Sequence, residues 1–232
     1  MQKSAMVKNL IALVGTRSDQ EALEEVLRPV VWPVKVRAGA QVRISLSADH
    51  LVYIQSGATK LVAQAGDGED HVLAFQFPGD LVTVSASGPH TYLLYALKDS
   101  ELAVLDQDEV IKACSGMPEA LTNLLGRAMR ALNLCRDGAI LLSRRSASER
   151  VAGFILQLAE RLKKMTDAEG GVCLPMTRRE MGEALGLTVE TVSREFSRLR
   201  AEGLIETRGR AWLRVVEGPA LAARAGLFAI AA

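Results

Sequence analysis

With 232 residues the chain has room for one large domain or two modest ones, and a hydrophobic fraction of 49% is ample for packed cores. The net charge of +1 hides an asymmetry: residues 144–232 hold 15 Lys and Arg against 11 Asp and Glu, a net +4, leaving 13 against 16, a net −3, for residues 1–143. Cys114, Cys135 and Cys173 are widely spaced and odd in number, which argues against a secreted disulfide framework, and no close-set ligand cluster is present, so no metal is expected.

The first residues, MQKSAMVKNLIALVGTRSD, hold a short apolar run without a small-residue cleavage site, and no later run is long enough to span a bilayer. A cytoplasmic chain without membrane contact is expected. Residues 1 to about 27 read as helical, with Ser18 and Glu21 as a capping box before Ala22, Leu23, Val26 and Leu27, and with Pro29 and Pro33 ending the segment. From Val34 to Leu105 the pattern changes to β-rich runs punctuated by glycine: VKVRAG, VRISL, HLVYIQSG, TKLVAQAGDGEDHVLAFQFPGD, YLLYAL and ELAVLD. Runs of this length and spacing predict an antiparallel sandwich or barrel, with a hairpin at AGDGED.

Glu119 to Ser143, after Pro118, reads as one long helix. Leu121, Leu124, Ala128, Ala131, Cys135 and Leu142 fall on a and d positions of a heptad frame, flanked by Leu125, Leu132 and Ala139, while Arg127, Arg130 and Arg136 lie off it. Such a stripe either covers the β-rich part or meets a second helix, and it is broad enough for both. Gly138 in mid-helix costs about 1 kcal/mol relative to Ala, which a close helix crossing would explain. Cys135 would then face its copy, as an inert small hydrophobe or as a redox group. In SRRSASERVAGFILQLAERLKKM, Ser146 and Glu149 form a capping box for a helix with Val151, Phe154, Ile155, Leu158 and Leu162 on one face. The boundary falls at Ser143 to Ser146, dividing the chain into residues 1–117, 118–143 and 144–232.

TDAEGGVCLPM reads as a turn and short strand leading into Met176 to Gly203, which reads as two short helices around a tight turn. Thr177 and Glu180 form a capping box, Met181, Ala184 and Leu185 recur at helical spacing, and Gly186 supplies the turn. Thr188 caps the second helix, whose apolar face is Val189, Val192, Phe196 and Leu199, and Gly203 stops it. The opposite face carries Glu190, Thr191, Ser193, Arg194, Ser197 and Arg198, a mixture suited to base edges and phosphates. Arg194 could donate a bidentate pair to guanine O6 and N7, Glu190 could accept from cytosine N4, and Ser193 could approach a thymine or its neighbour. The alternative is a solvated face on which Glu190 and Arg194 form an i, i+4 pair. Thr177, Arg178, Arg179, Thr188, Thr191, Ser197 and Arg198 are candidates for the DNA backbone, the two arginines being equally compatible with solvent. LIETRGRAWLRVVEG reads as a two-stranded wing with Arg208, Gly209 and Arg210 at its tip, placed to touch phosphate or simply solvated. Trp32 and Trp212 read as packing residues, and the apolar end from Gly226 to Ala232 has no derivable role. No nucleophile elbow, phosphate-binding glycine loop or paired-histidine motif is present, so no catalytic residue is expected.

GLTVETVSREFSRL followed by GLI closely resembles the recognition helix of the CRP/FNR family of bacterial transcription regulators. Glu190, Ser193 and Arg194 look like its FNR and FixK branch rather than the cyclic-AMP receptor branch. The resemblance implies an α+β fold: an N-terminal cyclic-nucleotide-binding-like β-roll, a long dimerisation helix and a C-terminal winged helix-turn-helix. It also implies a homodimeric activator, double-stranded DNA as partner, half-sites of the TTGAT type about one helical turn apart, and RNA polymerase as a further partner. Upstream, Gly39, YIQSG ending at Gly57, GDGED and FPGD ending at Asp80 are placed like the turns of the roll. Phosphate binding in that roll needs a Gly-Glu pair after the Pro-Gly-Asp turn and an Arg a few residues later. Leu81 to Thr91 offers neither Glu nor Arg, so no cyclic nucleotide is expected. The same loop, Ser85 to His90, is where FNR-like proteins are thought to touch RNA polymerase, so its shortness puts that contact in question. FNR itself holds an iron-sulfur cluster through cysteines near its N-terminus, and none precedes Cys114 here. The expected cofactor is none, with haem on one of His50, His71 or His90 as the alternative; the alternatives to an ungated DNA binder are a haem- or small-molecule-gated regulator of the same family and an adaptor module whose helix-turn-helix serves protein contacts.

Overall fold

The apolar stretches near the N-terminus form α1 (Gln2–Val14) and α2 (Gln20–Val30) in a computed structural model that describes residues 2–15, 20–45, 47–64, 70–209 and 211–227. Ser18 of the expected capping box lies outside the described residues. Pro29 sits inside the last turn of α2 instead of ending it. A proline this close to the terminus removes one intrahelical bond, and the Val31 N–H still donates to the Leu27 carbonyl at 3.1 Å.

Five antiparallel strands follow: β1 (Trp32–Val36), β2 (His50–Gln64), β3 (Asp70–Gln76), β4 (Leu81–Val84) and β5 (Thr91–Asp106). Their order is β1-β5-β2-β3, with β4 paired to β2. Runs that read as separate strands are merged here, since β2 continues through Gly57 and β5 joins YLLYAL to ELAVLD. Gly57 is a bulge and not a loop: the register shifts beside it, its φ is +88°, and a Cβ would stand 2.2 Å from Ser100 Oγ and 2.5 Å from the Asp99 carbonyl. Val42 to Ser45 of the run VRISL form no strand. One bridge, Gln41 to Tyr95, and the Val42 N–H to Leu94 carbonyl bond of 2.7 Å hold its start. The AGDGED tip lies outside the described residues apart from Asp70, which pairs with Gln64. The Pro-Gly-Asp turn is closed by Asp80, whose carboxylate accepts from the Phe77 N–H at 2.8 Å.

Strand alternation builds two cores from one sheet. Val52 and Ile54 of β2 with Leu102 and Val104 of β5 face the interior of the roll. Leu51, Tyr53, Ala103 and Leu105 face outward, where Met6, Leu10, Leu23 and Leu27 of the N-terminal helices cover them together with α3 (Gln107–Cys114). Trp32 departs from its expected packing role. It begins an edge strand and is 69% exposed.

The long helix α4 (Pro118–Ser143) is as expected. Its side chains cap the end of α1: Asn123 Nδ2 donates to the Val14 carbonyl at 3.1 Å and Arg127 Nε to the Leu13 carbonyl at 3.0 Å. Leu121 and Leu124 pack on the outer core, so the open stripe is offset from the heptad frame above. At 100° per residue, Leu125, Met129 and Leu132 lie within about 60° of one another as an exposed apolar line, and Leu134, Ile140, Leu142, Ala128, Ala131, Cys135 and Ala139 are also exposed.

The backbone separates into two compact units, Met1–Leu134 and Cys135–Ala232. The second begins with the end of α4 and continues with α5 (Ala147–Arg161), whose Ser146–Glu149 capping box is formed and whose expected apolar face is buried. Then come β6 (Val172–Cys173), α6 (Arg178–Leu185), α7 (Val189–Ala201), β7 (Ile205–Arg208), β8 (Trp212–Val215) and α8 (Gly218–Arg224). The wing is three-stranded, in order β6-β8-β7, because Val172 and Cys173 pair with Leu213 and Trp212. Among the described residues no helix is long and apolar enough to cross a membrane.

Candidate nucleic-acid interface

The geometry of α6 and α7 follows from local chemistry. Thr177 Oγ1 accepts from the Glu180 N–H at 3.2 Å while Glu180 Oε2 accepts from the Thr177 N–H at 2.8 Å, closing the start of α6. Gly186 ends the helix in the left-handed region at φ +62°, which a Cβ would oppose. Thr188 Oγ1 then accepts from the Thr191 N–H at 3.2 Å and starts α7. Sequence reading missed Gly182. A Cβ there would stand 2.5 Å from the Leu187 carbonyl, so this glycine lets the turn fold tightly back on α6; the signal was a glycine inside a helix that tolerates it poorly.

Val192, Phe196 and Leu199 bury one side of α7, Val189 is half-buried, and Glu190, Ser193, Arg194, Ser197 and Arg198 are exposed on the other. Glu190 and Arg194 form neither the i, i+4 pair nor any other hydrogen bond or ion pair among the described residues. Neighbouring arginines are engaged. Arg198 Nε reaches Glu202 at 3.1 Å, and Arg224 of α8 holds the other oxygen of the same carboxylate at 2.5 Å. Arg178 lies with its guanidinium carbon 3.4 Å over the Phe196 ring, a half-buried position and not the solvated one, because the ring offers a flat apolar face to a planar cation. Arg179 is exposed. Arg208 pairs with Glu169 at 2.5 Å and lies 4.4 Å over the Trp212 ring, while Arg210 lies outside the described residues. Ser197 Oγ donates to the Ser193 carbonyl at 3.0 Å. Glu195 was not anticipated: it is 8% exposed with Oε2 unpartnered among the described residues.

The wing is fastened through Asp167. Its carboxylate accepts from Trp212 Nε1 at 2.7 Å and from the Gly171 N–H at 2.9 Å, and these bonds, the tryptophan's first, hold its carboxyl below the usual aspartate value. A lowered native value means that the contribution to stability is complete above about pH 4, the unfolded aspartate range, and is lost as pH falls through the native value. With Trp32 replaced by Phe to isolate the signal, Trp212 emission should hold steady on acidification until below that range, and Asp167→Asn should abolish the acid-side step. A step centred at or above the ordinary aspartate value would contradict this.

Comparison with known proteins bears on both units. The description Crp-like helix-turn-helix domain matches residues 149–224, and Cyclic nucleotide-binding domain matches residues 42–116. A nitrogen fixation regulation protein FixK from Bradyrhizobium diazoefficiens is 34% identical over 152 residues, covering 66% of this chain and 64% of that protein. A probable transcriptional activator from Rhizobium leguminosarum bv. viciae is 32% identical over 173 residues, covering 74% of this chain and 72% of that protein. This chain belongs to the CRP/FNR family. The solved structure of FixK2 from Bradyrhizobium japonicum superposes with a TM-score of 0.72 at 26% identity, covering 88% of this chain and all of that one.

Within this CRP/FNR chain the roll interior is filled by the apolar residues named above, and the buried Thr59 Oγ1 donates to Gln76 Oε1 at 3.0 Å. The short loop after β4 is tied down by Asp49, which accepts from the Ala86 N–H at 2.8 Å and Ser85 Oγ at 2.9 Å. The backbone bond first, then the serine, lowers the Asp49 carboxyl below its ordinary value. His71 and His90 are exposed, and His50 Nδ1 shares a hydrogen bond with the Ala48 carbonyl at 2.8 Å. Cys114 is buried, and burial raises its thiol, which suits an inert packing role. Cys135 is exposed on the open side of α4.

Proposed function

We propose that this chain is a homodimeric transcription activator that reads an FNR-like palindrome and is not gated by a cyclic nucleotide. The observation that carries the reading is the exposed set Glu190, Ser193 and Arg194, whose side chains have no hydrogen-bond or ion-pair partner among the described residues, on a helix whose other face is buried. Side chains that keep their donors and acceptors free on a rigid helix are prepared to meet base edges, with Arg194 on guanine, Glu190 on cytosine and Ser193 beside thymine. Thr177, Arg179, Thr188, Thr191, Ser197 and Arg198 are assigned to the backbone, the Arg198 charge being shared with Glu202. Arg208 and Arg210 are assigned to the DNA backbone as well. The net +4 of residues 144–232 supports the same assignment.

Dimerisation is assigned to α4. Leu121, Leu125, Ala128, Leu132, Cys135, Ala139 and Leu142 alternate spacings of four and three, the pattern of a coiled-coil seam, and from Leu125 onward all are exposed in the single chain. Leu124 and Ala131 flank it. The chain is read as three parts, residues 1–117, 118–143 and 144–232, with the roll serving as scaffold. The packed interior of the roll and the missing Glu and Arg after Asp80 support independence from cyclic nucleotides. Activation is supported by the name of the Rhizobium relative, and RNA polymerase is the partner that an activator must meet.

The test is a fluorescence-anisotropy titration of the chain, without added ligand, against a TTGAT-N4-ATCAA duplex and a scrambled one at two salt concentrations. Tight binding to the first, weakening as salt rises, is the expected result. Weak binding indifferent to sequence would refute the reading.

A further inference from the structure

Arg178 and Arg179 are neighbours in the first turn of α6, yet their surroundings differ. The Arg179 side chain is exposed. Arg178 folds back across the helix pair: its guanidinium carbon lies 3.4 Å from the Phe196 ring centroid and its Nη1 is 3.2 Å from Met181 Sδ. Phe196 and Met181 are both buried core residues, one on α7 and one on α6, so the guanidinium joins the two helices at their packing surface. Burial draws its pKa down to about 10, which leaves the charge in place at neutral pH but partly stripped of water. Phe196 is two residues from Arg194, on the opposite side of the same helix. A small rotation of α7 would swing the Arg194 and Glu190 termini away from the directions that base hydrogen bonds require.

We propose that Arg178 is a positioning residue: its guanidinium, flat against Phe196, fixes α7 on α6 from inside the protein, and Arg179 makes the phosphate contact at the start of α6. This rests on the reading of α7 as the base-reading helix. Planarity is the operative property, and a lysine ammonium, though equally charged, lacks it. Charge alone would be the operative property for a phosphate ligand.

The experiment uses the full chain with Arg178→Lys, Arg178→Gln, Arg179→Gln, Phe196→Leu and the double variant Arg178→Gln/Phe196→Leu. Melting without DNA comes first. Coupled residues predict a double variant that melts no lower than the worse single variant, whereas fully additive losses would overturn the proposal. Anisotropy on cognate and scrambled duplexes across a salt series comes second. Arg178→Lys and Arg178→Gln should each reduce discrimination about tenfold with the salt slope of the parent. Arg179→Gln should weaken both duplexes alike and flatten the slope by about one. Parent-like discrimination in Arg178→Lys, with a slope flattened by about one in Arg178→Gln, would make Arg178 a phosphate ligand and overturn the proposal. A parent protein without salt-dependent duplex binding would instead refute the DNA reading, and the melting cycle would then decide the role of Arg178 by itself.

Discussion

Replacing Arg194 by alanine is expected to cost about 1 to 3 kcal/mol at the cognate duplex and to relax discrimination at a single base pair in each half-site. The effect follows from the bidentate fit of a guanidinium to guanine O6 and N7, which no other base presents in the major groove. Arg194 makes no hydrogen bond or ion pair among the described residues, so its removal leaves no buried group unpaired. The variant should therefore melt like the parent. Titration against duplexes carrying each substitution at the guanine position checks the prediction, and an equal loss on every sequence would assign Arg194 to phosphate instead.

The second large effect is expected from Leu132→Glu. Leu132 is 43% exposed and Leu125 58% exposed in the single chain, so a carboxylate at Leu132 should leave the protomer folded. Across a two-fold seam the same change sets two carboxylates against each other in an apolar line, and the dimer should come apart. Binding to a palindrome then loses the gain from linking two half-sites, and cognate affinity should fall at least about 100-fold. Sedimentation velocity and anisotropy on one sample check both halves. A dimer that persists with Leu132→Glu would move the interface off α4.

How much of this was legible in the sequence depends on the range of the interactions concerned. The starts of α5, α6 and α7 are set by Ser146, Thr177 and Thr188 bonding to amides within the next three residues, so sequence spacing was enough. The Gly57 bulge is imposed by Asp99 and Ser100 on a distant strand, which is why β2 read as two runs. Periodicity announced an apolar stripe on α4 but could not separate Leu124 from Leu125. They differ by 100° of helix rotation, and only the packing of α1, α2 and the roll distinguishes the face toward the core from the open one. On α7, the exposed face was plain from its short polar residues. The Arg178 stack and the sharing of Glu202 between Arg198 and Arg224 were not, since each joins side chains from different elements.

The helical layer of α1 and α2 bears on how such proteins could be recombined. The match to the cyclic nucleotide-binding domain opens at residue 42, whereas the packing that completes this roll opens at Met6. A chimera cut at residue 42 would transplant the sheet without β1 and without the part of its cover that α1 and α2 supply, leaving Leu51, Tyr53, Ala103 and Leu105 covered by α3 and the start of α4 alone and the cap on α1 from Asn123 and Arg127 without its object. The inheritable module on this side of the chain is the stretch from α1 through the first half of α4, and a graft that respects it should stay soluble where the shorter one precipitates.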